Sequence, residues 1–149
     1  MVRITKVHTG AGDGGKTRLL DGTEVGKEDP RVRLYGTIDE VNSQLGVVRM
    51  ELNRMPGVPV GARNSADEAM GRVQQELFDI GGECSCTPGK LPVQMVLIGS
   101  DAGDRLVAEM DSWLEELEPL ESFIMPTGSP PVATLHVART VARRAERHA

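Results

Sequence analysis

The sequence predicts an all-α chain, and three observations lead to that reading. Apolar residues recur at spacings of three and four in separate runs. Proline and glycine clusters punctuate those runs. The single strand-like stretch, Val93-Gln94-Met95-Val96-Leu97-Ile98, has no second run with which to build a parallel sheet, so it reads as an ambiguous loop or short element. The 149 residues amount to a single domain spanning 1–149, large enough for a hydrophobic core.

The first helix is the best marked. Asp29 stands where an N-cap belongs and Pro30 at the first helical position. Val32, Tyr35, Ile38, Leu45, Val48 and Leu52 then define an amphipathic run of about 25 residues that stops before Pro56-Gly57. Gly36 and Gly46 lie inside it at a cost of up to roughly 1 kcal/mol each relative to alanine, which fits close approach by another element and equally fits tolerated blemishes. After the joint at 56–61, Ala66, Met70, Val73, Leu77 and Ile80 form a second periodic run, expected to stop at Gly81-Gly82 with one further turn to Cys84.

A third run extends from Asp101 to Leu117, with Leu106, Met110, Trp113, Leu114 and Leu117 as its apolar stripe and Trp113 in the core or at a subunit interface. The loop from Pro119 to Pro130 has an apolar middle between breakers. It reads as a lid over a helix end or as a wall presented to a large ligand. The last helix starts at Pro130 with Ser129 as cap and Leu135, Ala138, Ala142 and Ala145 on one side. It shows no stop before Ala149, so a continuation of the helical chain is expected.

Composition narrows the function. Hydrophobic residues at 39% and charged residues at 26% are ordinary for a globular protein and leave some burial for a partner chain. A formal charge of -5 gives no general case for nucleic acid. Cys84 and Cys86 stand one residue apart without other cysteines or a histidine cluster, so neither a disulfide framework nor a zinc site is supported. No apolar run reaches membrane-span length and the N-terminus lacks a secretory hydrophobic region, which makes the cytoplasm the expected compartment.

The chemistry gathers at His8 to Thr17, H-T-G-A-G-D-G-G-K-T. Glycine-dense backbone is costly to order and useful where successive amide N–H groups must close around an anion, so this is the candidate phosphate-binding loop at 8–17. Gly10 to Thr17 fits G-x-x-x-x-G-K-[ST], the phosphate loop of nucleotide hydrolases. The context does not fit. Val2, Ile4 and Val7 give only a short strand before it, and Gly22 and Gly26 speak against the helix that should open at Lys16-Thr17. A phosphate loop of another architecture is the better reading.

A second cluster lies on the last helix. His136, Arg139, Arg143 and Arg147 fall at i, i+3, i+7 and i+11, in one line along the helix. The like-charge pairs Arg139–Arg143 and Arg143–Arg147 each cost a few tenths of a kcal/mol, so such a line calls for an anion, a partner carboxylate or abundant water. Arg144 and Glu146 flank it, and Glu146 is placed to orient an arginine. Asp39 and Glu40, beside Thr37 and Asn42 in the first helix, are carboxylates able to meet an arginine across a helix or subunit interface.

Four segments together resemble the PduO-type cob(I)alamin adenosyltransferase family over essentially the whole chain. They are Thr9 to Thr17, Tyr35-Gly36-Thr37-Ile38-Asp39-Glu40-Val41-Asn42-Ser43, Glu121-Ser122-Phe123-Ile124-Met125-Pro126, and His136-Val137-Ala138-Arg139 with Arg143-Arg144-Ala145-Glu146-Arg147. The resemblance implies an up-and-down five-helix bundle, its final helix missing from this sequence, assembled as a homotrimer with intersubunit active sites. It implies transfer of the 5′-deoxyadenosyl group of ATP to cob(I)alamin, with Mg2+, giving adenosylcobalamin and triphosphate.

Residue by residue, it implies that Thr9, Gly10, Gly12, Asp13, Gly15, Lys16 and Thr17 line the triphosphate site with help from Lys27. Asp39 would face Arg139 of the partner subunit, Arg143, Arg144 and Glu146 would set the nucleotide end, and Phe123 would exclude an axial ligand from cobalt. His8 and His136 need no catalytic role. A reductase or an adenosylcobalamin-dependent enzyme is the implied transient partner. Lys16, and Thr127 after Pro126, depart from the usual family pattern.

Two other functions remain open on the residues alone. One is a P-loop ATPase or small-molecule kinase using Lys16, Thr17 and a metal-binding Asp101. The other is a non-enzymatic helical assembly or nucleotide sensor in which the arginine line only fastens subunits.

Overall fold

The computed structural model describes residue 5 and residues 8–149; the strand expected around Val2, Ile4 and Val7 lies outside these. Among the described residues, the elements are a two-stranded hairpin and four helices. They run in the order β1 (Lys16–Arg18), β2 (Glu24–Gly26), α1 (Pro30–Arg54), α2 (Val60–Cys84), α3 (Asp101–Leu114) and α4 (Pro130–Glu146). No helix of the described residues is long and apolar enough to cross a membrane.

α1 is the central element, with α2 packed along one side and α4 along another. It begins as its sequence requires: the Asp29 side chain accepts from Arg31 N at 2.9 Å, and Pro30 enters helix without an N–H to satisfy. Val41, Leu45 and Val48 of α1 meet Ala138 and Val141 of α4, with Met70, Val73 and Leu77 of α2 closing the cluster. Val48 is wholly buried. Full burial of such a side chain contributes about 1.5–3 kcal/mol.

A polar network fixes how α2 lies on α1. Arg49 grips Asp67 with two nearly parallel bonds of 2.9 and 2.8 Å and reaches Gln74 Oε1 at 2.9 Å. Gln74 Nε2 donates to Asn42 O while Asn42 Nδ2 donates to Gln74 O, both at 2.9 Å. The bond from Arg49 holds the Asp67 carboxyl below the usual carboxylate range, outweighing the opposing effect of burial. Gly46 sits beside Gln74 in this contact, as its position suggested, but nothing approaches Gly36 within 4 Å.

α2 takes the further turn past Gly81-Gly82 and ends at Cys84, as expected; a Cβ at Gly81 would lie 3.9 Å from Ile38 and one at Gly82 3.7 Å from Met95. Two other helical expectations need correction. α3 ends at Leu114 instead of Leu117. α4 ends at Glu146, and its buried face is Pro131, Ala138 and Val141, while Leu135 and Ala142 are exposed. Ser129 occupies the cap position without a side-chain bond; Thr134 Oγ1 bonds Pro130 O instead, at 2.8 Å.

The strand-like run at 93–98 is loop. It is hydrogen-bonded to α2 through the Ile98 N–H, which donates to Glu83 Oε1 at 2.6 Å.

Candidate functional site

The glycine loop is closed by its own backbone. Asp13 N donates to Gly10 O and Gly15 N to Gly12 O, both at 3.2 Å, and Lys27 N donates to Gly15 O at 2.9 Å. Gly10 and Gly15 have φ of 67° and 79°, left-handed values that a side chain would strain. Thr9 Oγ1 accepts from Ala11 N at 3.4 Å. The chain then enters β1 at Lys16-Thr17, where the hydrolase motif requires a helix. The P-loop reading, with Asp101 as metal ligand at the end of a sheet strand, is therefore excluded: Asp101 opens α3 after a loop.

The two lysines of this region differ in what holds them. β1 and β2 pair antiparallel with Arg18 opposite Glu24, so Lys16, two residues away on the same face, reaches Glu24 diagonally. Lys16 Nζ lies 2.8 Å from Glu24 Oε1, and that hydrogen bond raises the Lys16 pKa. Lys27 instead folds over the loop, where its Nζ would stand 3.1 Å from a Cβ placed on Gly12. The cation over the glycines is Lys27. Asp13 lies on the same loop, with Oδ2 3.4 Å from the corresponding position at Gly10.

A pocket of about 540 Å³ opens between α1 and the C-terminal half of α2. Tyr35, Ile38, Asp39 and Asn42 line it from α1 at i, i+3, i+4 and i+7, one continuous helix face. Thr37, Val41, Leu45 and Val48 point to the protein core from the neighbouring face. The Tyr35–Ser43 segment thus serves two surfaces at once.

Phe78, Gly81 and Gly82 of α2 form the opposite wall, and Leu20 of the hairpin with Met95 and Val96 complete it. The two glycines widen the space that side chains would fill. Leu20, Phe78 and Met95 were not legible as site residues. Phe78 was detectable as an apolar residue beside the buried stripe of α2, whereas Leu20 and Met95 gave no local signal.

On α4, Arg139, Arg143 and Arg147 are exposed, on a surface away from the core contact with α1. Arg143 pairs with Glu146 at 2.6 Å, so the orienting role expected of Glu146 has a geometric counterpart. Arg144, expected at the nucleotide end, bonds Glu40 of α1 and ties the two helices. Asp39 and Arg139 make no ion pair among the described residues. Phe123 stands fully exposed in the loop between α3 and α4.

Comparison with known proteins gives the family and the fold. The family described as cobalamin adenosyltransferase matches residues 7–149. The chain is 39% identical to a cobalamin adenosyltransferase of Cupriavidus metallidurans, over 97% of this chain and 71% of that protein. It is 35% identical to a corrinoid adenosyltransferase of Bacillus subtilis, over 95% of this chain and 69% of that one.

In three dimensions it superposes with a TM-score of 0.82 on a variant PduO-type ATP:corrinoid adenosyltransferase from Lactobacillus reuteri complexed with cobalamin and ATP. The identity is 29%, covering 96% of this chain and 73% of the other. A second variant of that enzyme, complexed with ATP, gives 0.79 at 30% identity, over 95% and 75%. The helical bundle is that of the PduO-type enzymes, and the chain belongs to the cobalamin adenosyltransferase family.

Proposed function

We propose that this chain transfers the 5′-deoxyadenosyl group of ATP to cob(I)alamin, giving adenosylcobalamin and triphosphate. One observation carries the reading beyond family membership. A single short hairpin begins at a glycine loop capped by the Lys27 ammonium and turns at Leu20 in the wall of a large, mostly apolar pocket. A polyanion cradle and a cavity for a bulky apolar ligand are thereby built on one element.

In the reaction the cobalt(I) lone pair attacks C5′ of ATP. A Co–C bond forms, the C5′–O bond breaks, and triphosphate leaves with the electron pair as cobalt passes from the +1 to the +3 state. No proton is moved, so no general base is required. The protein positions both reactants and stabilises the leaving charge. The amides of Gly10, Gly12 and Gly14, which take no part in closing the loop, and the Lys27 ammonium supply that stabilisation. Arg143 and Glu146 set the nucleotide end of the site. Asp39, on the pocket face of α1, faces Arg139 of the partner subunit, and Phe123 offers an apolar ring where an axial donor to cobalt would otherwise stand.

Arg139 is assigned to a site shared with a partner subunit in a homotrimer. Its exposure supports this, as does the absence of any intrachain carboxylate partner among the described residues. The described residues contain no group of three metal-ligating side chains, so they form no cage for Mg2+. Magnesium would arrive on the nucleotide phosphates, and no step is routed through it.

The test is an anaerobic reaction of protein, ATP, Mg2+ and reduced corrinoid, followed by the light-sensitive cobalt–carbon bond and by analysis of the leaving phosphate. Intact triphosphate is expected; release of ADP overturns the reading. Lys27→Ala raises KM for ATP by about tenfold or more, the scale of a lost charge-assisted bond, while Lys16→Ala changes it by less than about threefold. The reverse order would reassign the phosphate cation to Lys16.

A further inference from the structure

The turn of the β1–β2 hairpin is tied to the exit of α2 by a set of bonds that neither element needs for its own closure. Asp21 Oδ1 accepts from Thr23 N at 2.8 Å, which closes the turn locally. Its other oxygen accepts from Thr87 N at 2.8 Å, across 66 positions of sequence. Beside it, Leu20 N donates to Ser85 O at 2.9 Å. Hydrogen bonds from Thr87, then from Thr23, hold the Asp21 carboxyl well below the usual carboxylate range, so the acceptor is ionised at any working pH.

These bonds have a consequence one residue away. Leu19 is buried at 4% exposure, and Leu20, between it and Asp21, points the other way into the mouth of the α1/α2 pocket at 59% exposure. An apolar side chain that exposed is held in place by its neighbours' bonds more than by its own packing.

We propose that Asp21 is a positioning residue for corrinoid binding: by anchoring the hairpin turn to Thr87 it holds Leu20 in the apolar wall of the pocket. This rests on the reading of that pocket as the corrinoid's. The nucleotide end of the hairpin is independent of it. The glycine loop closes through Gly15 N to Gly12 O at 3.2 Å and Lys27 N to Gly15 O at 2.9 Å, bonds in which Asp21 has no part. Loss of Asp21 therefore acts on one substrate and spares the other.

Titration of the full chain with cob(II)alamin, followed by absorbance, and steady-state assays with each substrate varied test this in the parent and in Asp21→Ala, Asp21→Asn and Leu20→Ala. Asp21→Ala and Leu20→Ala each weaken corrinoid binding and raise the corrinoid KM by about tenfold, with kcat and the KM for ATP within about twofold. Asp21→Asn gives about threefold, because its amide oxygen accepts one N–H while its NH2 opposes the other. An equal rise in both KM values marks a merely structural role and overturns the proposal, as does an unchanged corrinoid KM in Asp21→Ala. Should Asp21→Ala fail to fold, Asp21→Asn decides by the same two readings. Phe78→Asp separates the two levels of inference: if it leaves corrinoid binding intact, the pocket reading itself fails, whereas if it abolishes binding and Asp21→Ala does not, only the role of Asp21 fails.

Discussion

The α1–α2–α4 core and the α3 region are built from the same kind of sequence and meet different fates. Val41, Leu45 and Val48 of α1 recur at helical spacing and are buried against α2 and α4. Val107, Met110, Trp113 and Leu114 of α3 recur as regularly, and all four are exposed, Trp113 at 44%. α3 makes no close backbone approach to another element among the described residues. It is attached to α2 through charged side chains: Arg72 to Glu109 at 2.5 Å, and Arg105 to Glu76. Periodicity states which face of a helix wants cover. It does not state whether the same chain provides that cover.

The comparison breaks most decisively in the core. Val48→Ala removes a wholly buried side chain and lowers stability by about 2 kcal/mol, whereas Met110→Ala on α3 lowers it by less than about 0.5 kcal/mol, both read by urea unfolding. Comparable losses would mean that the apolar face of α3 is covered in solution.

The polar contact between α1 and α2 comes next. Arg49→Ala strands Asp67 and Gln74 in a half-buried interface and costs about 1–3 kcal/mol at neutral pH. The sign of its pH dependence follows from Asp67, whose folded pKa is depressed by Arg49. A depressed carboxyl contributes stability above its unfolded value of about 3.9 and loses it as pH falls through the folded value. The stability gap between parent and Arg49→Ala should therefore narrow below about pH 4, as unfolding curves at pH 7 and pH 3 would show. A gap that widens in acid would remove the Arg49–Asp67 bond as its source.

The smallest effect is on α3 itself. At ionic strength near 1 M the screening length is about 3 Å, and partly exposed pairs such as Arg105–Glu76 are worth on the order of 1 kcal/mol. Hydrogen exchange of α3 amides should quicken by about two- to fivefold in high salt while α1 amides hold steady. Equal responses in the two helices would erase the distinction between them.

How far the sequence could be read differs by residue. Asp29 and Pro30 announced the start of α1 because capping is decided within one turn of backbone. Gly81-Gly82 marked the neighbourhood of the α2 stop, and the helix takes one further turn to Cys84, since a glycine disfavours helix by only about 1 kcal/mol and does not forbid it. Lys16 completes a familiar spacing and was expected at the triphosphate together with Lys27. Its partner is Glu24, eight residues on, which only the hairpin register brings near. Ala142 and Leu135 seemed part of the buried face of α4, yet the residues it packs against the α1 core are Ala138 and Val141.

The sequence by itself determined the helical character of the chain, the glycine loop and the Asp29-Pro30 start of α1. Each follows from dihedral preferences and side-chain spacing over a few residues. Tertiary structure alone decided that Lys27 and not Lys16 lies over the loop, that Arg144 is engaged with Glu40, and that Leu20, Phe78 and Met95 share one pocket. Those facts concern which groups become neighbours after the chain has turned back on itself. Local periodicity has no term for distance between residues remote in sequence.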